Sequence, residues 1–295
     1  MKNVSLLAKL ALFTATIIWG TTFFIMESTI EMIEIFTLLS FRFLFAGILL
    51  GAILYKRLKL IDKGYLISGF ILGFLVIIAY VFQTYGLKDE GTTPGKNAFL
   101  TAIYCIIVPF VYWAITKTKP DRYNISAALL CLLGVSLISA NGSDFESVCK
   151  GDILTLLGGV FFAFHVVAVA VFSKNRDILL LTMLQLITAG IMALIPAISL
   201  EKLPSHIPPQ ATFSIIYLAV MATCVCYILQ NAGQKYTSPS SAALILSLEA
   251  VFGVLFSVIF TEETLSLRLV SGFIIIFLAI IVSEVKPRFK YNKKQ

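Results

Sequence analysis

Charge is scarce in this chain: 23 Lys and Arg and 16 Asp and Glu among 295 residues, 13% in all, against 59% apolar residues and a mean hydropathy of +0.94. So little polar material cannot cover a single soluble core, which excludes a water-soluble globular protein and puts the chain in lipid. Histidine occurs only twice, at positions far apart, and HExxH, GxSxG and the Walker A sequence are missing. A zinc peptidase, a serine-hydrolase elbow and an ATPase are left without their residues, so an intramembrane enzyme is disfavoured and no cofactor or metal is implied. Cysteine is sparse too. Cys105, Cys131, Cys224 and Cys226 fall in apolar stretches and only Cys149 in a connection, which leaves no partner for a disulfide between connections of one chain. Cys224 and Cys226 stand two apart, on different helix faces, as small packing residues rather than a shared metal site.

What the chain has in abundance is apolar runs. A span needs about 20 mainly apolar residues, and ten such stretches occur, at 9–26, 34–54, 65–86, 97–116, 123–140, 152–172, 178–199, 211–230, 240–260 and 266–284. The connections are short and carry turn chemistry such as Pro94-Gly95, Asn141-Gly142 and Pro208-Pro209. The first stretch follows Lys2 as a signal peptide would, yet WGTTFF continues where small residues would mark cleavage, so a retained span is expected. The fold class expected is all-α, an integral membrane protein of ten helices.

The second half repeats the first. YVFQTYGLK from Tyr80 returns as YILQNAGQK from Tyr227, TTPGKNAFL from Thr92 as TSPSSAALI from Thr237, and FRFLFAGI from Phe41 as LQLITAGI from Leu184, at offsets of 147, 145 and 143. A duplicated unit explains all three, with residues 1–145 as the first repeat (helices 1–5) and 146–295 as the second (helices 6–10). Seventeen of the 23 Lys and Arg fall on one side if the N-terminus is inside, which makes both termini cytoplasmic. Five spans per unit is odd, so the second unit enters from the opposite side and the repeats are inverted, an architecture typical of secondary transporters with substrate held between the repeats. Lys117, in an inner connection, aligns with Glu262, in an outer one. The net charge of +7 is this sidedness plus the tail KPRFKYNKKQ, which meets anionic lipid and gives no sign of nucleic acid.

Polar groups inside spans are costly and need a reason. Glu249, central in the ninth span, and Arg42, in the outer half of the second, are the charged residues placed deep in the bilayer. They either lock the bundle as an ion pair or face a cavity, where Glu249 could also carry a proton. Trp19 and His165 occupy roughly equivalent places at an offset of 146, and Gln185 matches Arg42 at 143. Asn97, Thr101 and Tyr104 recur at three- or four-residue spacing and so share one face of the fourth span, while Tyr104 aligns with Glu249 at an offset of 145, marking a cavity wall. The pairs Tyr80/Gln83 and Tyr227/Gln230 are candidate gates, expected at the outer and inner ends respectively. Gly47/Gly51 and Gly69/Gly73 have the spacing of close helix approach and read as internal packing, with a dimer contact as the alternative.

The ten inverted spans, the Trp19-Gly20 pair in the first, the Arg in FRFLFAGILL of the second, and a Pro-containing connection into an Ala-rich span before each half's fourth helix together resemble the drug/metabolite transporter superfamily, in its EamA-type branch. In place of that family's late LEP and Gly-Glu patterns, this chain has Leu248-Glu249-Ala250 and Thr261-Glu262. The resemblance implies a multi-pass cell-membrane protein that exports amino acids or other small metabolites, proton-linked or facilitative, from a central cavity. It would act as a monomer or weak homodimer whose partners are a small-molecule substrate and membrane lipid. A channel or lipid scramblase is the alternative, separated from a carrier by substrate-specific counterflow.

Overall fold

The computed structural model describes residues 2–139, 149–204, 206–260 and 267–285, and every regular element among them is a helix. The first half gives α1 (Lys2–Gly20), α2 (Thr22–Ile30), α3 (Ile35–Ile53), α4 (Lys63–Leu87), α5 (Pro94–Thr101), α6 (Tyr104–Thr116) and α7 (Arg122–Ser139). The second gives α8 (Lys150–Phe172), α9 (Ile178–Leu200), α10 (Pro209–Tyr217), a π-helical stretch over Leu218–Val225, α11 (Cys226–Lys235), α12 (Pro239–Leu246), α13 (Leu248–Phe260) and α14 (Leu267–Val285).

Among the described residues, eight segments are long and apolar enough to cross a membrane: Val4–Ile30, Ile35–Ile53, Lys63–Leu87, Pro94–Thr116, Lys150–Phe172, Ile178–Leu200, Pro209–Lys235 and Pro239–Phe256. They coincide with eight of the expected stretches. The remaining two fall on α7 and α14, which pack on each other. Asn141-Gly142, Glu262 and the basic tail lie outside the described residues. Large apolar side chains such as Leu6, Ile48, Ile53, Ile195 and Phe213 point outward, as lipid-facing residues must.

Packing follows the sequence repeat. α4 lies along α8 and α9, while its counterpart α11 lies along α1 and the π stretch along α3. α5 and α6 rest on α8 as α12 and α13 rest on α1, and α3 packs on its own counterpart α9. Gly47 and Gly190 show the relation at atomic scale: a methyl on Gly47 would press on Ile187 and one on Gly190 on Leu44, and Leu44 and Ile187 are themselves equivalent at the same offset of 143. Gly86 meets the Gly151 carbonyl at 2.7 Å from where its Cβ would be, and Gly233 meets the Ala8 carbonyl at 2.7 Å, again an equivalent pair. Each contact and its mate thus swap halves. Gly51, Gly69 and Gly73 also face α9, so both glycine pairs serve internal packing.

Local sequence explains why the elements start and stop where they do. Thr93 and Ser238, equivalent at an offset of 145, each precede a proline at the first helical turn and accept from a backbone N–H three residues on, Lys96 at 3.2 Å and Ser241 at 3.3 Å. Such caps stabilise a helix start by about 1 kcal/mol. The two capped helices then break at the same point, after Thr101 in the first half and after Leu246 in the second, where the Ser247 hydroxyl donates back to the Leu244 carbonyl at 2.8 Å. The fourth span is therefore two half-helices, and Tyr104 opens the second of them rather than continuing the face that holds Asn97 and Thr101. α3 and α9 are tied at both ends. Glu201 accepts from Phe36 N, Thr37 N and Thr37 Oγ1 at 2.7–2.8 Å, capping α3, and Asp177, which accepts from Leu179 N, pairs with Arg57 at 3.1 Å.

Candidate substrate cavity

The half-helix breaks, the start of α11 and the middles of α3 and α4 converge on a central cavity lined by Trp19, Arg42, Tyr80, Gln83, Asn97, Tyr104, Tyr227, Gln230 and Glu249, with Thr22, Phe23, Met26, Thr84, Leu87 and Phe162 among the others. Nine of the twelve polar and aromatic residues singled out from sequence meet there, Thr101, His165 and Gln185 being the others. Its rings and polar groups leave about 40 Å³ within which the centre of a water-sized solute can move.

Arg42 is the largest fully buried side chain among the described residues, and its partners are neutral. Its Nε donates to Thr223 Oγ1 at 2.5 Å and Nη2 to Tyr80 OH at 3.2 Å; Nη1 reaches Met26 Sδ at 3.7 Å, and the guanidinium lies 4.6 Å from the Tyr80 ring centroid. Among the described residues it makes no ion pair. The expected Arg42–Glu249 bridge is therefore absent: Thr223 and Tyr80 hold the guanidinium by its edge, and Glu249 instead faces the Tyr104 hydroxyl, which has no hydrogen-bond partner of good geometry. One cation and one carboxylate thus face a single cavity without neutralising each other, an arrangement that is expensive in a dry protein interior unless something else enters it.

Thr223 belongs to the π-helical stretch. The wide turn leaves the Ala222 carbonyl free to accept from Trp19 Nε1 at 2.7 Å, the kind of local distortion that π-bulges bring to functional sites. Its equivalent in α4 is regular α-helix. Neither Thr223 nor the π stretch is visible in hydrophobic periodicity, because LAVMATCV is apolar on nearly every side and offers no period for a widened turn to interrupt.

The two repeated tyrosines meet. Tyr80 and Tyr227 both pack on Phe43, at centroid distances of 5.2 and 6.5 Å, and they contact each other. The expectation that they mark opposite mouths is overturned, because the two side chains touch at the central cavity, which both of them line. Gln83 and Gln230 diverge from them along their own helices. Trp19 makes an edge contact with Tyr227 at 5.5 Å and Phe162 makes one with Tyr80 at 5.3 Å. The counterpart of Trp19 is therefore Phe162, not His165.

Asn97 donates to the Gln83 carbonyl at 3.0 Å and to Thr155 Oγ1 at 2.8 Å, and Gln83 Nε2 donates to Thr101 Oγ1 at 3.0 Å. Thr101 thus supports the wall from behind. His165 and Gln185 stand one layer back as well: their Nε2 and Oε1 are 3.3 Å apart, and the imidazole lies perpendicular to Tyr227. Cys149 falls in a connection as expected, just before the first turn of α8, half-buried, with its sulfur 3.2 Å from Thr92 Oγ1, beside the Lys96–Asp152 pair at 2.8 Å.

Known proteins resemble this chain over most of its length. The model of the EamA-like transporter family matches twice, over residues 6–140 and 149–284. An uncharacterized transporter of Archaeoglobus fulgidus is 29% identical over 95% of this chain and 87% of its own length; Protein PecM of Dickeya dadantii is 25% identical over 96% and 94%. The uncharacterized inner membrane transporter YedA of Escherichia coli K12 is 23% identical over 95% and 91%. A solved crystal structure superposes with a TM-score of 0.81 over 97% of this chain and 99% of its own, at 15% identity, which speaks for the fold alone. With both of its halves matched by the family model, this multi-pass membrane protein belongs to the EamA-like transporter family.

Proposed function

We propose that the protein is a secondary transporter of the cell membrane, built of ten spans in two inverted five-helix repeats with cytoplasmic termini, that exports a small polar metabolite such as an amino acid by alternating access. The observation that carries this reading is the cavity's unneutralised pair: Arg42 suits a carboxylate and Glu249 an ammonium group or a proton, with aromatic rings between them. The twofold packing supports the inverted arrangement, since each helix of one half meets the counterparts of its neighbours in the other. Tyr80, Gln83, Tyr227 and Gln230 are proposed to move as the cavity changes its exposure, the tyrosines at the pivot and the glutamines above and below. Comparing metabolites in the medium of cells with the protein, without it, and with Glu249→Gln tests the reading. A metabolite that accumulates with wild-type protein only is the expected result; identical profiles in all three would overturn export. Saturable counterflow of that metabolite in proteoliposomes then separates a carrier from a channel.

A further inference from the structure

Nine buried side-chain polar atoms have no hydrogen-bond partner among the described residues, and five of them lie between Gln230 and Thr237: Gln230 Oε1, Asn231 Oδ1, both amide atoms of Gln234, and Thr237 Oγ1. Asn231 and Gln234 are 0% and 2% exposed. Buried amides in native proteins find partners in protein or in water, so a run of orphans needs water close at hand. The run is directional. Tyr227, Gln230, Asn231 and Gln234 recur at three- and four-residue spacing and so share one face of α11, leading from the central cavity to the helix end.

The other half shows what that face does. Tyr80, Gln83, Thr84 and Leu87 all line the present cavity, which follows α4 towards its C-terminal end. At an offset of 147 their counterparts are Tyr227, Gln230, Asn231 and Gln234, of which only the first two line it. We infer that the α11 face from Gln230 through Asn231 and Gln234 to Thr237 is the wall of a second, water-filled vestibule on the opposite side of the membrane, collapsed in this structure, through which a polar solute passes to or from the central site. The inference rests on the transport reading above and adds the route. Its chemistry differs from that of the α4 side. Asn231 and Gln234 stand where α4 has Thr84 and Leu87, so the second vestibule offers amide donors and acceptors to a solute that hydrogen-bonds as it sheds water.

Cysteine accessibility tests this in the full-length protein with Cys149→Ser as background, which removes the only cysteine that is not buried. Gln234→Cys and Leu87→Cys are treated with a charged, membrane-impermeant thiosulfonate on right-side-out and inside-out vesicles. The expected result is modification of Gln234→Cys from one face only and of Leu87→Cys from the other face only. Failure of Gln234→Cys to react from either face, or reaction from the same face as Leu87→Cys, overturns the inference. If Leu87→Cys reacts while Gln234→Cys stays silent, the cavity reading stands and the second vestibule falls; silence of both strikes the cavity reading as well. Should Gln234→Cys fail to accumulate in the membrane, Asn231→Cys reports on the same face and is judged by the same outcomes.

Discussion

The two halves share a frame and differ in what they place at its centre. Where the first half has Arg42, the second has Gln185; where the second has Glu249, the first has Tyr104. Trp19 in the first half answers to Phe162 in the second in the same way, and the π stretch that holds Trp19 and Arg42 has a plain α-helical mate in α4. Duplication supplied the packing twice. A cation and a carboxylate were each placed once, which keeps the site from being two identical half-sites and gives a bound solute a head and a tail.

Removing that difference should have the largest effect. Arg42→Gln makes the position match Gln185 and leaves Thr223 and Tyr80 without their charged partner, so transport of the metabolite identified by profiling is expected to vanish in proteoliposomes, with folded protein still recovered. Glu249→Gln is expected to abolish any coupled transport with less effect on stability, since Gln keeps the shape and cannot ionise. Wild-type rates in either variant would break the comparison at its centre.

The shared frame can be tested by paired changes. Gly47→Val and Gly190→Val press equivalent side chains onto Ile187 and Leu44, so each should destabilise the bundle by a similar amount, about 1–3 kcal/mol, seen as lower melting temperatures in detergent. A large loss in one and none in the other would contradict the twofold relation. The Trp19/Phe162 pair sharpens the contrast instead. Trp19→Phe loses the bond to the Ala222 carbonyl and is expected to cost about 1 kcal/mol, whereas Phe162→Trp finds no freed carbonyl in α4 and should cost more, through overpacking. The smallest effect belongs to the caps: Thr93→Ala and Ser238→Ala should each cost about 1 kcal/mol or less, equal within error by thermal melts.

Most of the frame was legible in the chain because a span announces itself by composition and a duplication by identities such as the Tyr, Gln, Gly and Lys shared by YVFQTYGLK and YILQNAGQK. Arg42 and Glu249 were legible for a related reason, since a charge in an apolar run has few innocent explanations. Depth was not legible. Helical periodicity tells which residues share a face but not which end of the bundle they occupy, so the spacing alone points Tyr80 and Tyr227 to opposite mouths although they meet at the central cavity. The Trp19–His165 match failed on similar grounds: it differs from the local offset of 143 by three residues, nearly one helical turn, which leaves the residue on about the same face. Only the ring contacts to Tyr80 and Tyr227 distinguish the two alignments. The helix breaks at Ala102 and Ser247 and the π stretch involve small residues that suit an unbroken helix just as well.

The ties at the two ends of α3 and α9 have a mechanical consequence. Glu201 holds one end through three hydrogen bonds, two of them to backbone N–H groups that carry the positive end of the α3 dipole. The Arg57–Asp177 pair marks the other. Lengthwise sliding of α3 along α9 would break the three Glu201 bonds, whereas rotation about their common axis disturbs them less. In the transport cycle proposed above, the remaining helices would turn on this axle, and Arg42, mounted on α3, would keep its depth while the walls around it change sides.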